Sequence, residues 1–152
     1  MADAENKSTL RSNIALIGHI QHGKSTINNL LAIPPHESPR ANGSRTVRIG
    51  ISTVNSPFNE NALHQFTLID TPGHPELFGE VKSALRLADG AILIVDCHEG
   101  VRPPAEWAVR HSVLLGLRLV LFINKLDKTV LETSWTPKQV SVGTHQLIFT
   151  FC

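Results

Sequence analysis

Three short stretches of this chain carry residue types that together could hold a nucleotide. Gly18-His19-Ile20-Gln21-His22-Gly23-Lys24-Ser25 fits the pattern G-x-x-x-x-G-K-[ST] in full. Its two glycines let successive N–H groups face inward as an anion nest. A following helix would aim its N-terminus at the same anion. Lys24 would reach the β- and γ-phosphates as a point charge, the Ser25 hydroxyl would ligate Mg²⁺, and Thr26 completes the phosphate-binding set.

The second stretch is Asp70-Thr71-Pro72-Gly73-His74. Asp70 is placed to support Mg²⁺, expected through a water. Gly73 has no side chain, so its N–H can approach a γ-phosphate, and Thr71–Phe78 is a candidate switch that loss of that phosphate would release. A neutral His74 imidazole could orient an attacking water, which makes it the candidate catalytic residue. By itself D-x-P-G is an ordinary turn, and its meaning comes from the phosphate loop upstream.

The third stretch is Asn124-Lys125-Leu126-Asp127. The Asp127 carboxylate can accept from both N1–H and the exocyclic amine of guanine. Adenine presents neither donor there, and a site of that kind discriminates by roughly 10⁴-fold or more. Asn124 would support the base and its loop, and the Lys125 stem could lie over the ring face. The combined expectation is GTP or GDP with Mg²⁺.

The elements that must position these stretches follow from periodicity. Asn13–Ile17, Phe66–Ile69, Ala91–Val95 and Leu117–Ile123 are short apolar runs that read as buried strands. Val47–Val54 reads as an edge strand, closed by a turn at Pro57 and Asn59-Glu60-Asn61. Lys24–Leu31, Glu76–Ala88 and Ala105 to about Leu115 read as helices, with Ala32–Ser44 a loop. Strands alternating with helices predict a three-layer α/β domain. Its sheet would be mostly parallel with one antiparallel edge strand, and ligands would bind at the carboxyl ends of the strands. The strands ending at Ile17, Ile69 and Ile123 would gather all three motifs on one edge.

Totals narrow the class. The chain has 152 residues, 41% of them hydrophobic, which suits one globular domain. A net charge of +1 and a pI near 7.9 give no general attraction to DNA or an anionic membrane, so any RNA contact would be local. Two cysteines, Cys97 and Cys152, make no disulfide framework and suggest a reducing intracellular compartment. The polar start is no signal peptide, and the longest apolar stretch, Val113–Ile123, is too short to span a bilayer. His19, His22 and Cys97-His98 show no zinc spacing, and the loop motif accounts for the first two. Trp107 is expected in the core; Arg45 and Arg48 are read as solvated.

G-H-x-x-H-G-K-S with D-T-P-G-H closely resembles the translational GTPases, in their elongation factor G and elongation factor 2 branch. The resemblance runs from about Ser12 to Lys138. It implies a P-loop fold, GTP hydrolysis, and service as a switch in a ribonucleoprotein machine through protein and RNA contacts. Three eukaryotic relatives compete: elongation factor 2, its ribosome-biogenesis relative, and the spliceosomal GTPase of the U5 particle. Gly18 replaces a usual alanine, Gln21 a usual aspartate, and Val47-Arg48-Ile49 lacks the switch threonine. These departures favour the spliceosomal relative and a nuclear location, with the ribosome and cytoplasm as the alternative. Without that threonine Mg²⁺ loses a ligand. Thr46 and Thr53 are the substitutes at hand, neither in good register, and unaided hydrolysis should be slow.

The resemblance divides the chain into a polar segment 1–12, a GTP-binding domain 13–140 and an unmatched tail 141–152. It also implies a product cut before the family's last strand and helix and its later domains, with an unrelated tail. Two further readings stay open: a module that holds GTP without turnover, and a fragment that no longer folds well.

Overall fold

The computed structural model describes residues 8–31, 50–59 and 62–128. The expected loop 32–44, Thr46, the arginines at 45 and 48, Trp135 and the tail lie outside those residues.

Five strands form one sheet. They are β1 (Ser8–Ile17), β2 (Gly50–Asn59), β3 (Ala62–Asp70), β4 (Gly90–Asp96) and β5 (Arg118–Asn124), in the order β2-β3-β1-β4-β5. β2 runs antiparallel to β3, and all other pairings are parallel. Helices α1 (Lys24–Leu31), α2 (Phe78–Leu87) and α3 (Pro103–Leu114) complete the three layers. This is the P-loop α/β architecture that the periodicity and the resemblance predict.

Alternation along the central strands builds two cores. Ala15 and Ile17 of β1 join Leu93 and Val95 of β4 under Val81 and Leu85 of α2 and Ala105 and Ala108 of α3. Leu16 and Ile94 point the other way and meet Ile27 of α1. Both faces of β1 and β4 are thus covered, which is why those strands read as unbroken apolar runs. Trp107 packs on the first core, stacked between Phe78 at 4.4 Å and His111 at 5.1 Å.

Several elements differ from their expected bounds. β1 begins at Ser8, inside the segment 1–12, because its polar half pairs with β3 from Ser8↔Ala62 onward while β4 joins only at Ile14. β2 does not turn at Pro57 but runs to Asn59 with a register shift between Pro57 and Asn59. β2 is the sheet's edge, where a proline need not supply a ladder donor. Pairing with β2 also extends β3 back to Ala62. The helix expected from Glu76 opens as a 3₁₀ turn, Pro75–Leu77, and becomes α-helical at Phe78. β5 is not buried on both faces: Leu119 and Leu121 pack inward, but Val120 and Phe122 are exposed. Among the described residues α3 covers one face of β5 and no element covers the other. No helix of the described residues is long and apolar enough to cross a membrane.

Candidate functional site: the carboxyl edge of the sheet

The parallel strands β1, β3, β4 and β5 end together. Leu16 lies level with Asp70, Ile17 with Leu93, and Asp96 with Asn124. The connection leaving β1 through α1 leads to β2 and β3 on one side, and α2 then crosses to β4 on the other. The loop after β1 therefore opens at the point where the strand order reverses, the usual ligand crevice of such sheets.

Gly18–Gly23 wraps this crevice and delivers Lys24 to the start of α1. Gly18 adopts φ +148°, and a Cβ there would collide with the Ile94 carbonyl of β4. Only glycine lets the loop leave β1 that close to β4. Gln21 stands exposed with φ +62°, Ile20 is partly covered, and Thr26 faces solvent.

The Lys24 side chain is 6% exposed. Its ammonium donates to the carbonyls of Gly18 at 3.1 Å and His19 at 2.7 Å. Burial pushes its pKa from 10.5 to about 8, and the nearby Asp70 charge only partly opposes this. The lysine is thus held inside its own loop as an underneutralised cation. Ser25 Oγ donates to Asp70 Oδ2 at 2.5 Å, and Asp70 is fully buried. A hydroxyl and a carboxylate in contact beside a phosphate loop are hard oxygen donors of the kind Mg²⁺ takes, so the residues present fit that ion.

The Asp70–His74 turn packs directly on the phosphate loop. A Cβ on Gly73 would come within 2.6 Å of the His19 carbonyl carbon, the Ile20 nitrogen and Lys24 Nζ. Thr71 anchors the turn by donating from Oγ1 to the Leu16 carbonyl at 2.6 Å. Gly73 therefore sits where an anion seated on Lys24 must be felt. His74 caps the 3₁₀ turn: its Nδ1 accepts from the Glu76 N–H at 3.3 Å, and Glu76 Oε2 lies 3.6 Å away. That acceptor role places the hydrogen of a neutral ring on Nε2, so His74 offers a donor with which to orient water, not a free base. Thr53 stands away from the Ser25–Asp70 pair: it is exposed on β2 opposite Thr67, while Asp70 lies level with Gly50.

The third motif is fastened to the first. Asn124 Nδ2 donates to the His22 carbonyl at 2.9 Å, and its Oδ1 accepts from the Lys125 N–H. Lys125 adopts φ +59°, and its ammonium pairs with Asp96 Oδ2 at 2.7 Å. Burial alone would raise the Asp96 pKa, but Lys125 and the N–H groups of His98 and Glu99 outweigh it and hold the carboxyl below its ordinary value. Asp127 lies beyond this brace with its side chain exposed, available to a base. Val95-Asp96 falls within the family resemblance, but sequence reasoning gives Asp96 no role at the site.

Asn124→Ala should loosen both loops at once. The expected loss is about 1–2 kcal/mol in urea unfolding, because the His22 carbonyl forfeits its donor. Guanine-nucleotide affinity should fall roughly tenfold or more with it, since 1.4 kcal/mol is a factor of ten.

The histidines of the phosphate loop also prove to be neighbours of Glu99, which sequence spacing does not suggest. His22 is fully buried, its Nδ1 3.3 Å from the Ile94 carbonyl and its Nε2 3.4 Å from Glu99 Oε2. His19 Nδ1 lies 4.0 Å from the same oxygen. Cys97 and His98 take no part in this cluster.

Comparison with known proteins agrees with this geometry. Elongation factor 2 of Pyrococcus horikoshii is 37% identical over 142 residues, covering 84% of this chain and 19% of its own length. Elongation factor 2 of Methanosarcina barkeri is 33% identical over 157 residues, covering 94% of this chain and 22% of its own length. The chain thus spans about a fifth of the curated relatives it matches. A bacterial selenocysteine-specific elongation factor superposes with a TM-score of 0.75 at 25% identity, over 93% of this chain and 23% of that one. Translation elongation factor SelB from Methanococcus maripaludis, solved with the GTP analogue GPPNHP, gives 0.71 at 24% identity, over 92% and 26%, and shares the fold. The model of the elongation factor Tu GTP binding domain matches residues 9–148, and the chain belongs to this family, that of the translational GTPases.

Proposed function

We propose that this chain binds GTP and GDP with Mg²⁺ and hydrolyses GTP slowly, as the nucleotide switch of an elongation factor 2-like protein. The observation that carries the reading is the convergence of Lys24, the Ser25–Asp70 pair, Gly73 and the Asn124 brace on one sheet edge. Phosphates would sit on the loop amides, where the Lys24 ammonium exchanges its backbone carbonyls for phosphate oxygens. Mg²⁺ held by Ser25 and Asp70 would neutralise charge between the β- and γ-phosphates. Gly73 would report the γ-phosphate, His74 would orient water toward it, and Asp127 would select guanine. Water and GTP then give GDP and inorganic phosphate, and loss of γ-phosphate contacts frees the 71–78 turn.

Hydrolysis is slow in this reading because Gln21 and the 47–49 segment depart from the family pattern. A ribonucleoprotein activator would complete the site. The matched elongation factors support a ribosome as that machine. Gly18, Gln21 and the missing threonine support a spliceosomal U5 particle in the nucleus.

Titration with a fluorescent GDP analogue in Mg²⁺ tests the reading. Displacement by GTP and not by ATP is the expected result. Equal displacement by ATP, or no binding by a chain that melts cooperatively, would overturn it. Turnover stimulated by ribosomes or by spliceosomal particles then identifies the machine.

A further inference from the structure

We propose that His19, His22 and Glu99 form a second metal site, distinct from the Ser25–Asp70 pair and suited to a borderline transition ion such as Zn²⁺. Independently of the nucleotide reading, it rests on the hydrogen-bond chemistry of His22. The His22 ring is fully buried, and both of its nitrogens face acceptors: Nδ1 the Ile94 carbonyl and Nε2 the Glu99 carboxylate. A neutral imidazole has one N–H and satisfies one of them. With Nδ1–H directed at Ile94, a bare Nε2 lone pair points at a carboxylate oxygen 3.4 Å away. That juxtaposition calls for a cation between them.

A second proton on this ring would make a fully buried imidazolium, which is costly to desolvate. A metal ion fills the same role without requiring an imidazolium. An Nδ1–H held by a backbone carbonyl is also the support that metal-bound histidines commonly have, since it fixes the tautomer and aims Nε2 at the ion. The buried His19 Nδ1 and His22 Nε2 have no hydrogen-bond partner among the described residues.

The spacing suits a small ion. The three ligand atoms lie within 4.8 Å of one another, with 3.4 and 4.0 Å between each histidine and Glu99. Tetrahedral Zn²⁺ with bonds near 2.0–2.1 Å holds its ligands about 3.3 Å apart. Closing the cluster therefore needs only a small inward movement, and two nitrogens with one carboxylate leave a fourth position for water. The one competing cation described at Glu99 is Arg102, half exposed, with Nε 3.8 Å from the same oxygen. An ion here would tie the phosphate loop to the turn after β4, two segments far apart in sequence.

Cobalt titration of the full chain in excess Mg²⁺ tests the site, with Zn²⁺ as competitor and the visible absorption of bound Co²⁺ as readout. The expected result is one Co²⁺ per chain with an intense low-symmetry spectrum, displaced by Zn²⁺. Glu99→Gln should weaken it tenfold or more, and Asp70→Asn should leave it unchanged. Arg102→Ala, which keeps every ligand, should strengthen binding several-fold and serves if Glu99→Gln does not fold. Absence of Co²⁺ binding, equal binding by Glu99→Gln, loss with Asp70→Asn, or weakening by Arg102→Ala would each overturn the proposal.

Discussion

Replacing Lys24 with methionine should abolish useful nucleotide affinity and at the same time make the nucleotide-free chain more stable. The lysine is nearly sequestered, and burial lowers its pKa from 10.5 to about 8. Folding with a charged lysine therefore costs about 3 kcal/mol relative to the unfolded chain. Two hydrogen bonds to the Gly18 and His19 carbonyls return part of that. The net gain expected for Lys24→Met at pH 7 is about 1–2 kcal/mol by urea unfolding. Loss of the phosphate-binding cation should weaken GDP and GTP on the order of 100-fold or more.

The same lysine sets a pH dependence. Between about 8 and 10.5 the unfolded chain holds this proton and the folded chain releases it. Stability of the nucleotide-free protein should therefore rise through that window, a rise that Lys24→Met lacks. Nucleotide favours the charged form, so affinity should fall as pH climbs past about 8, with proton uptake on binding near pH 9. Calorimetry in buffers of different ionisation enthalpy reads that proton directly. A Lys24→Met variant that is destabilised, or a parent chain whose stability stays flat between about pH 8 and 10.5, would contradict this account.

Gly18→Ala should have the largest effect on the fold itself. The residue holds a positive φ that an L side chain rarely adopts, and its Cβ would collide with the Ile94 carbonyl. That carbonyl is part of the β4 backbone and also faces His22 Nδ1, so it cannot yield without shifting the sheet edge. Strain and overpacking together should cost about 3 kcal/mol or more, a large share of the stability of a domain this size. Urea unfolding measures the loss, and a chain that keeps its midpoint would show that the phosphate loop can leave β1 by another path. Conversely, Ile94→Val keeps the carbonyl and should change nucleotide binding little.

Much of this molecule is legible in its residues alone. The phosphate loop, the Asp70 turn and the Asn124 motif are readable because each needs particular residue types at fixed local spacing, and local backbone geometry enforces that spacing. α1 falls at the predicted residues, Lys24–Leu31, and the cores of β3 and β4 at the predicted apolar runs. Strand ends are less legible. β1 and β3 continue through polar residues because a neighbouring backbone pairs with them, and pairing partners are not encoded in apolar periodicity. Pro57 reads as a turn because its edge position is a property of the sheet and not of the residue.

What the sequence by itself determined is the set of candidate chemical parts: a G-x-x-x-x-G-K-S loop, the strand-end acid Asp70 and the N-K-L-D carboxylate Asp127, in α/β order. Tertiary structure decided which parts touch. It set Asp96 against Lys125, Asn124 against the His22 carbonyl, Gly73 against Lys24, and Glu99 against two histidines some eighty residues earlier. Those contacts arise where four parallel strands end side by side. Parallel strands joined through helices bring distant segments to one edge, so no spacing rule along the chain can announce them.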